Sequence, residues 1–203
     1  MTPRIVLASA SPRRRALLEA LGLDIEVMPG SVEEHFDGTP EAMVVSNARA
    51  KRDEAAARLE GPPAVVIAAD TLVFLDGEPL GKPADLSEAR AMLGRLSGRT
   101  HQVLTGLAVL DTATGTAAEG HETTGVTFRE LSGEAIDHFV HAVNPVDRAG
   151  AYTVDGPGTL LVARYEGCYQ NVLGLPIVRL DALLHTLGHD LLALADPAQA
   201  RFL

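Results

Sequence analysis

Cysteine is almost absent from this sequence, tryptophan is missing, and aromatic residues make up only 4% of 203. The lone thiol, Cys168, excludes an internal disulfide and any cysteine-based zinc site. It reads as a packing residue rather than a nucleophile. With so few aromatics, the core must be built mainly from Ala, Val, Leu and Ile. Lysine is nearly absent too: Lys51 and Lys82 stand against 15 arginines. Surplus positive charge is lacking, with a net charge of −10 and a pI of about 5.1. Nucleic acids and anionic membranes select surfaces rich in Lys and Arg, so neither is an expected partner. No apolar run approaches the ~20 residues that span a bilayer. Met1 to Ala10 is short and soon meets Arg13-Arg14-Arg15, so it does not read as a signal peptide. The expected compartment is the cytoplasm.

What is present is a globular chain, 46% apolar and long enough for a buried core. Ile5–Ala8 reads as a buried strand. Ser11-Pro12 then opens a helix to about Leu21, since Ser caps well and Pro suits the first helical position. Asp24–Met28 reads as a strand and Ala-rich Glu41–Leu59 as a helix. Ala64–Leu75, the most apolar stretch, is expected to be a central strand, followed by a turn at Asp76-Gly77. Leu86–Leu96 is helical. Gln102–Leu110 and Ala117–Phe128 resemble a hairpin. Ser132 starts a helix to about Val143, Thr159–Arg164 is a strand, and Ile177–Leu187 and the Leu-rich tail are helical. Strands and helices interleave without repeat or linker, which predicts an α/β fold.

The N-terminal strand runs into Ser9-Ala10-Ser11-Pro12-Arg13-Arg14. A strand end followed by a helix start exposes N–H groups and a positive dipole end, which suits an anion. Arginines in a first helical turn oppose that dipole, and a bound polyphosphate would reverse the sign. The alternative is a capped surface helix with solvated arginines. Asp70 lies inside the apolar run, where a carboxylate is costly without a cation, a metal or N–H donors. It is either a functional acid or a structural one accepting loop hydrogen bonds. Lys51 and Lys82 are conspicuous because a compact ammonium enters tight phosphate sites where a guanidinium does not; chance survival of two surface lysines is the alternative. Glu33-Glu34 offers hard oxygen ligands for a metal, or simply a solvated acidic loop.

Several motifs fail. Gly77-x-x-x-Gly81-Lys82-Pro83 is one residue short of a P-loop and has Pro where Ser or Thr belongs. There is no GxGxxG. His121-Glu122 lacks a second zinc-binding His, and His138 with His141 lacks a third ligand.

Eight segments in order resemble the Maf family of nucleotide pyrophosphatases. They are Leu7–Arg14, Val32-Glu33-Glu34, Ala48-Arg49-Ala50-Lys51, Ala69-Asp70-Thr71, Gly81-Lys82-Pro83, Leu96–Val103, Asp147–Tyr152 and Asn171–Pro176. The resemblance implies one domain over residues 1–203, two-lobed, with a curved mixed β-sheet and a central cleft, like the inosine triphosphate pyrophosphatases. It implies hydrolysis of nucleoside triphosphates to monophosphate and pyrophosphate, dependence on a divalent metal cation (Mg²⁺ or Mn²⁺), and a homodimer. The family is also linked to septum formation and division arrest.

By the same resemblance Asp70 is the catalytic base, and Ser9, Arg13, Arg14, Lys51 and Lys82 bind phosphate. Glu34 joins Asp70 at the metal, while Arg13, Thr71 and Asp155 fall at positions that set base specificity. Arg13 and Thr71 match the subgroup preferring dTTP and UTP. That subgroup carries Gln where this chain has Asp155, and the 7-methyl-GTP subgroup carries Glu there. A carboxylate only accepts, whereas an amide also donates. The rival readings are a 7-methyl-GTP or broad-specificity pyrophosphatase, a γ-phosphoryl phosphatase or kinase, and a non-catalytic nucleotide-sensing regulator of division.

Overall fold

A computed structural model describes residues 3–30 and 32–201. In chain order the elements are β1 Arg4–Leu7, α1 Pro12–Ala20, β2 Ile25–Val27, α2 Pro40–Ala57, β3 Ala64–Leu75, β4 Glu78–Leu80, α3 Leu86–Leu96, β5 Thr100–Asp111, β6 Thr116–Phe128, α4 Gly133–Val143, β7 Val162–Glu166, α5 Tyr169–Val172, α6 Ile177–Thr186 and α7 Leu191–Leu194. The described strands form one sheet in the order β2-β1-β3-β5-β6-β7, with β4 also on β3. β1 runs parallel to β2 and β3, whereas β4 is antiparallel to β3 and β7 to β6. The fold is therefore α/β with a mixed sheet, as the interleaving predicts. Among the described residues no helix is long and apolar enough to cross a membrane.

Contacts divide the chain into two compact units. The first holds the described residues up to Asp70, Thr105–Glu122, and those from Gly174 on; the second holds Thr71–Leu104 and Thr123–Leu173.

In the first unit the strands are covered on both faces, which is why they read as unbroken apolar runs. Ile5, Leu7, Val65, Ile67, Ala69, Leu107 and Val109 pack with Leu18 of α1 and with Leu180, Leu183 and Leu184 of α6. The alternate residues Val6, Ala8, Ala64, Val66 and Ala68 form a separate cluster with Ala55 of α2. Strand side chains alternate with period two. Asp70 shares the parity of Val66 and Ala68 and so falls on the α2 face. That face is lined by small residues, and Gly106 of β5 lets the α2 backbone come closest. A Cβ built on Gly106 would lie 2.1 Å from the Val44 carbonyl oxygen.

The second unit closes on its own core. Val73 and Leu75 pack with Met92, Leu93 and Leu96 of α3, Phe139 and Val140 of α4, and Tyr152. Asp85 caps α3 and Ser132 caps α4, accepting the backbone N–H of Glu88 and Ala135.

β4 and β7 differ from expectation. Asp76 and Gly77 adopt φ 55° and 83°, the two-residue hairpin geometry, and fold β4 back onto β3. β4 is only three residues long and contains Pro79, so Glu78–Leu80 carries no strand signal of its own. The strand expected at Thr159 begins at Val162 instead, because Gly156–Leu161 forms a 3₁₀ turn. The Thr159 hydroxyl donates to the Val154 carbonyl at 2.9 Å and holds that turn.

Candidate active site

β1 and β3 pair in parallel from Arg4↔Ala64 to Leu7↔Ile67. The Ala8 N–H still donates to the Ile67 carbonyl at 2.8 Å. β1 then turns away into the Ser9–Arg14 loop, while β3 runs on to Asp70. A loop leaving the C-terminal end of a parallel strand is thus set beside a carboxylate on the neighbouring strand, the usual position of α/β sites. Ser11 caps α1, Pro12 occupies its first position, and no acid lies in the first turn. The buried Ser9 hydroxyl accepts from the Ser11 N–H at 3.2 Å and from Arg14 Nη1 at 3.0 Å. Arg14 Nε donates to the Gly174 carbonyl at 2.8 Å. Burial pushes the Arg14 guanidinium below its ordinary pKa, the Asp70 carboxylate pulls it back up, and neighbouring Arg13 adds to the lowering. Arg13 is half-buried and makes no side-chain hydrogen bond or ion pair among the described residues, so its charge remains available to a ligand.

Asp70 is 2% exposed, and each of its oxygens accepts a hydrogen bond. Lys51 Nζ donates to Asp70 Oδ1 and, at 2.7 Å, to Glu34 Oε1. Asn47 Nδ2 donates to Asp70 Oδ2 at 3.1 Å. Lys51 and Asn47 lie four residues apart on α2, hence on one helix face. Residues predicted from separate motifs therefore meet here: Glu34 from the loop after β2, Lys51 from α2 and Asp70 from β3.

Asn47 is the participant that sequence reasoning missed. Its only signal was an amide one helical turn before Lys51 on an otherwise Ala-rich helix. A second unforeseen feature anchors the same helix. Glu119 of β6 accepts from Arg49 Nε and Arg52 Nη1, both at 2.8 Å. The Arg49 hydrogen bond is the main reason the Glu119 carboxyl sits below its ordinary pKa.

The other predicted residues belong to the second unit. Lys82 is exposed in the segment after β4 and forms no ion pair among the described residues. Thr71 follows Asp70 on β3 and is half-buried. Asp155 is exposed, and its Oδ1 accepts a short hydrogen bond from the Thr153 hydroxyl.

Glu34 and Asp70 are the residues of this cluster that could hold a metal. Both carboxylates already point at one cation, the Lys51 ammonium, and both present hard oxygen donors of the kind Mg²⁺ and Mn²⁺ take. Asp181, His185 and Asp190 also bring ligand atoms within 4.8 Å of one another. In that group, however, Asp181 Oδ1 accepts the Leu191 N–H at 2.8 Å and Asp190 Oδ1 the Ala193 N–H at 3.0 Å. Those bonds cap α7.

The family of Maf-like proteins matches residues 4–187. A dTTP/UTP pyrophosphatase of Moorella thermoacetica is 46% identical over 189 residues, covering 92% of this chain and 96% of that one. One from Pelotomaculum thermopropionicum is 45% identical over 190 residues, covering 93% and 98%. A third, from Caldicellulosiruptor bescii, is 40% identical over 193 residues, covering 93% and 97%. Among solved structures, a HAM1 protein from Coxiella burnetii matches with a TM-score of 0.45 and 22% identity, over 62% of this chain and 73% of that one.

Proposed function

The chain belongs to the Maf family, and on that premise we propose that it hydrolyses nucleoside triphosphates to nucleoside monophosphate and pyrophosphate. The observation that carries this reading is the convergence on Asp70. A buried carboxylate is shared between Lys51 and Asn47, linked through Lys51 to Glu34, and set beside a loop rich in hydroxyl and guanidinium groups. A nucleotide sensor needs the cations of that loop; it has no need of a sealed acid.

In this reading a water oxygen attacks the α-phosphorus, and the bond from that phosphorus to the bridging oxygen breaks. Pyrophosphate leaves with the electron pair. Asp70 orients the water and takes its proton. Ser9, Arg13 and Arg14 hold phosphate oxygens, giving positioning and charge stabilisation together. Lys51 joins them without releasing its carboxylates: an ammonium has three N–H donors, and Asp70 and Glu34 use two. By family resemblance Lys82 also binds phosphate. Glu34 and Asp70 would hold a divalent cation, Mg²⁺ or Mn²⁺, which when bound supplies Lewis-acid neutralisation of phosphate charge. The resemblance further supports a homodimer, and the net charge of −10 argues against a nucleic-acid partner.

The names of the relatives support dTTP and UTP as substrates, and by family resemblance Arg13, Thr71 and Asp155 fall at the positions that set base specificity. One residue favours a second reading of specificity. A thymine or uracil edge presents one donor between two acceptors, whereas a guanine edge presents adjacent donors. Asp155, which only accepts, suits the guanine-type edge of 7-methyl-GTP better than an amide would. The test is a panel of triphosphates with Mg²⁺ or Mn²⁺, assayed separately for pyrophosphate and orthophosphate. Pyrophosphate from a preferred base supports the reading; orthophosphate alone, or no product, overturns it.

A further inference from the structure

Asn47 is 1% exposed, and its amide is engaged on every side but one. Its Oδ1 accepts the His35 backbone N–H at 2.9 Å, and its Nδ2 donates to the His35 carbonyl at 3.1 Å. The side chain thus pairs with both backbone groups of one residue, as the facing residue of an antiparallel strand would. The second Nδ2 hydrogen goes to Asp70 Oδ2 at 3.1 Å. An amide nitrogen has two hydrogens, and both are committed.

Two consequences follow from that bonding. Among its described residues the loop between β2 and α2 has no regular secondary structure of its own, yet it is fastened to α2 at His35, the residue next to Glu34. The Asp70 carboxylate, with Oδ2 held by Asn47, is fixed about its side-chain torsions so that Oδ1 faces Lys51. One side chain therefore sets the approach of both carboxylates to a common point. We propose that Asn47 is a positioning residue of the hydrolytic site, orienting Asp70 and Glu34 together for the catalytic cation and the attacking water. This rests on the pyrophosphatase reading above and adds a residue to it.

The position of α2 supports the assignment. Arg49 and Arg52, two and five residues further along the helix, are tied to Glu119 of β6. Asn47 is mounted on a helix that is itself anchored, so its geometry can be passed to its two partners. A side chain that held only the loop would need its two bonds to His35. A third bond, to a buried carboxylate on another strand, is what marks an orienting role.

The experiment uses the full chain as Asn47→Leu and Asn47→Asp beside wild type. Folding is checked by thermal unfolding, turnover by pyrophosphate release, and Mn²⁺ affinity by titration without nucleotide. Supporting groups around metal ligands typically change metal affinity or activity by about 10- to 100-fold, and Mn²⁺ binding is expected to weaken within that range. Turnover is expected to fall by about 100-fold while KM stays within about threefold, because the phosphate-binding loop is untouched. Asn47→Asp is the discriminating variant. It keeps the acceptor for the His35 N–H but sets a carboxylate against Asp70, so it should be no more active than Asn47→Leu. If Asn47→Asp recovers wild-type turnover, or a folded variant keeps both turnover and Mn²⁺ affinity, the proposal is overturned. If wild type itself releases no pyrophosphate, the pyrophosphatase reading fails, and the Mn²⁺ titration alone decides whether Asn47 organises the two carboxylates. Should Asn47→Leu not fold, the near-isosteric Asn47→Asp carries the test.

Discussion

Lys51 and Asp70 form an ion pair between two nearly sealed side chains, 14% and 3% exposed. Removing one partner of a buried pair leaves the other charge uncompensated, at a cost of about 3–5 kcal/mol. Asn47 would still donate to Asp70 in a Lys51→Met variant, so the loss is expected at the low end, about 3 kcal/mol. Adding Asp70→Asn removes the stranded charge and should restore part of that stability. Urea unfolding of the single and double variants checks this; a double variant less stable than Lys51→Met contradicts it.

Asp70→Asn separates chemistry from binding. The amide keeps the shape of the carboxylate and cannot take a proton from water. Loss of general-base function typically lowers rate by about 10²–10⁴-fold. Turnover should fall within that range while nucleotide affinity, measured by equilibrium binding, changes little, because Ser9, Arg13 and Arg14 remain. Near-normal turnover would remove Asp70 from the chemistry.

How far the sequence revealed this site depends on what each residue had to signal. Ser9, Arg13 and Arg14 lie within one short stretch of chain, and a Ser-Pro helix start among arginines is visible locally. Asp70 stood out because a charge inside an apolar run violates the pattern of a buried strand. Asn47 carries no such contrast. A polar amide on a helix is ordinary until the opposite strand's parity is known to place a carboxylate against it. The same holds for Glu119, whose pairing with Arg49 and Arg52 joins positions about seventy residues apart. β4 was hidden for a different reason: its register is imposed by the Asp76-Gly77 turn and not by its own three residues.

Asp155→Gln tests base recognition. The amide would restore a donor beside the acceptor, matching both edge groups of thymine or uracil. The ratio of kcat/KM for dTTP over 7-methyl-GTP should rise by about 10-fold or more, the order expected when one buried hydrogen bond is gained on one base and lost on the other. An unchanged ratio would show that this position does not touch the base. Exposed Asp155 contributes little to packing, so stability should be unaffected.

His101 makes stability depend on pH. Its ring is 2% exposed, wedged edge-on against Phe128 and Tyr152, with Nε2 2.7 Å from the Tyr152 hydroxyl. Nδ1 is buried without a partner among the described residues. Protonation would bury an unpaired cation, and burial lowers the His101 pKa to about 4 from an ordinary 6.5. Between those values the unfolded chain binds a proton that the folded chain refuses. The stability is therefore complete above about pH 6.5 and declines as pH falls toward 4, by about 3 kcal/mol in total. Urea midpoints across pH 4.5–7 should show a steeper fall for wild type than for His101→Gln. Parallel profiles would assign the acid limb to carboxylates alone.

Gly106 is where the fold makes the site possible. An added methyl at this residue would meet only backbone: the Val44 carbonyl oxygen at 2.1 Å, its carbon at 2.2 Å and the Val45 nitrogen at 2.6 Å. No rotamer can relieve those contacts, so in Gly106→Ala the whole of α2 must shift from the sheet. Overpacking of this kind costs about 1–3 kcal/mol. The functional loss should be larger than that suggests, because α2 carries Asn47 and Lys51 to Asp70, and a displacement of about 1 Å can cost about 100-fold in rate. Gly120 on the adjacent strand β6 supplies the control. A methyl there approaches the Arg179 guanidinium at 2.9 Å, the far end of a flexible side chain that can swing aside. Gly120→Ala should therefore keep turnover, while Gly106→Ala, assayed below its unfolding transition, should lose it. Equal activity in the two variants would mean that the close seating of α2 on β5 does not set the geometry around Asp70.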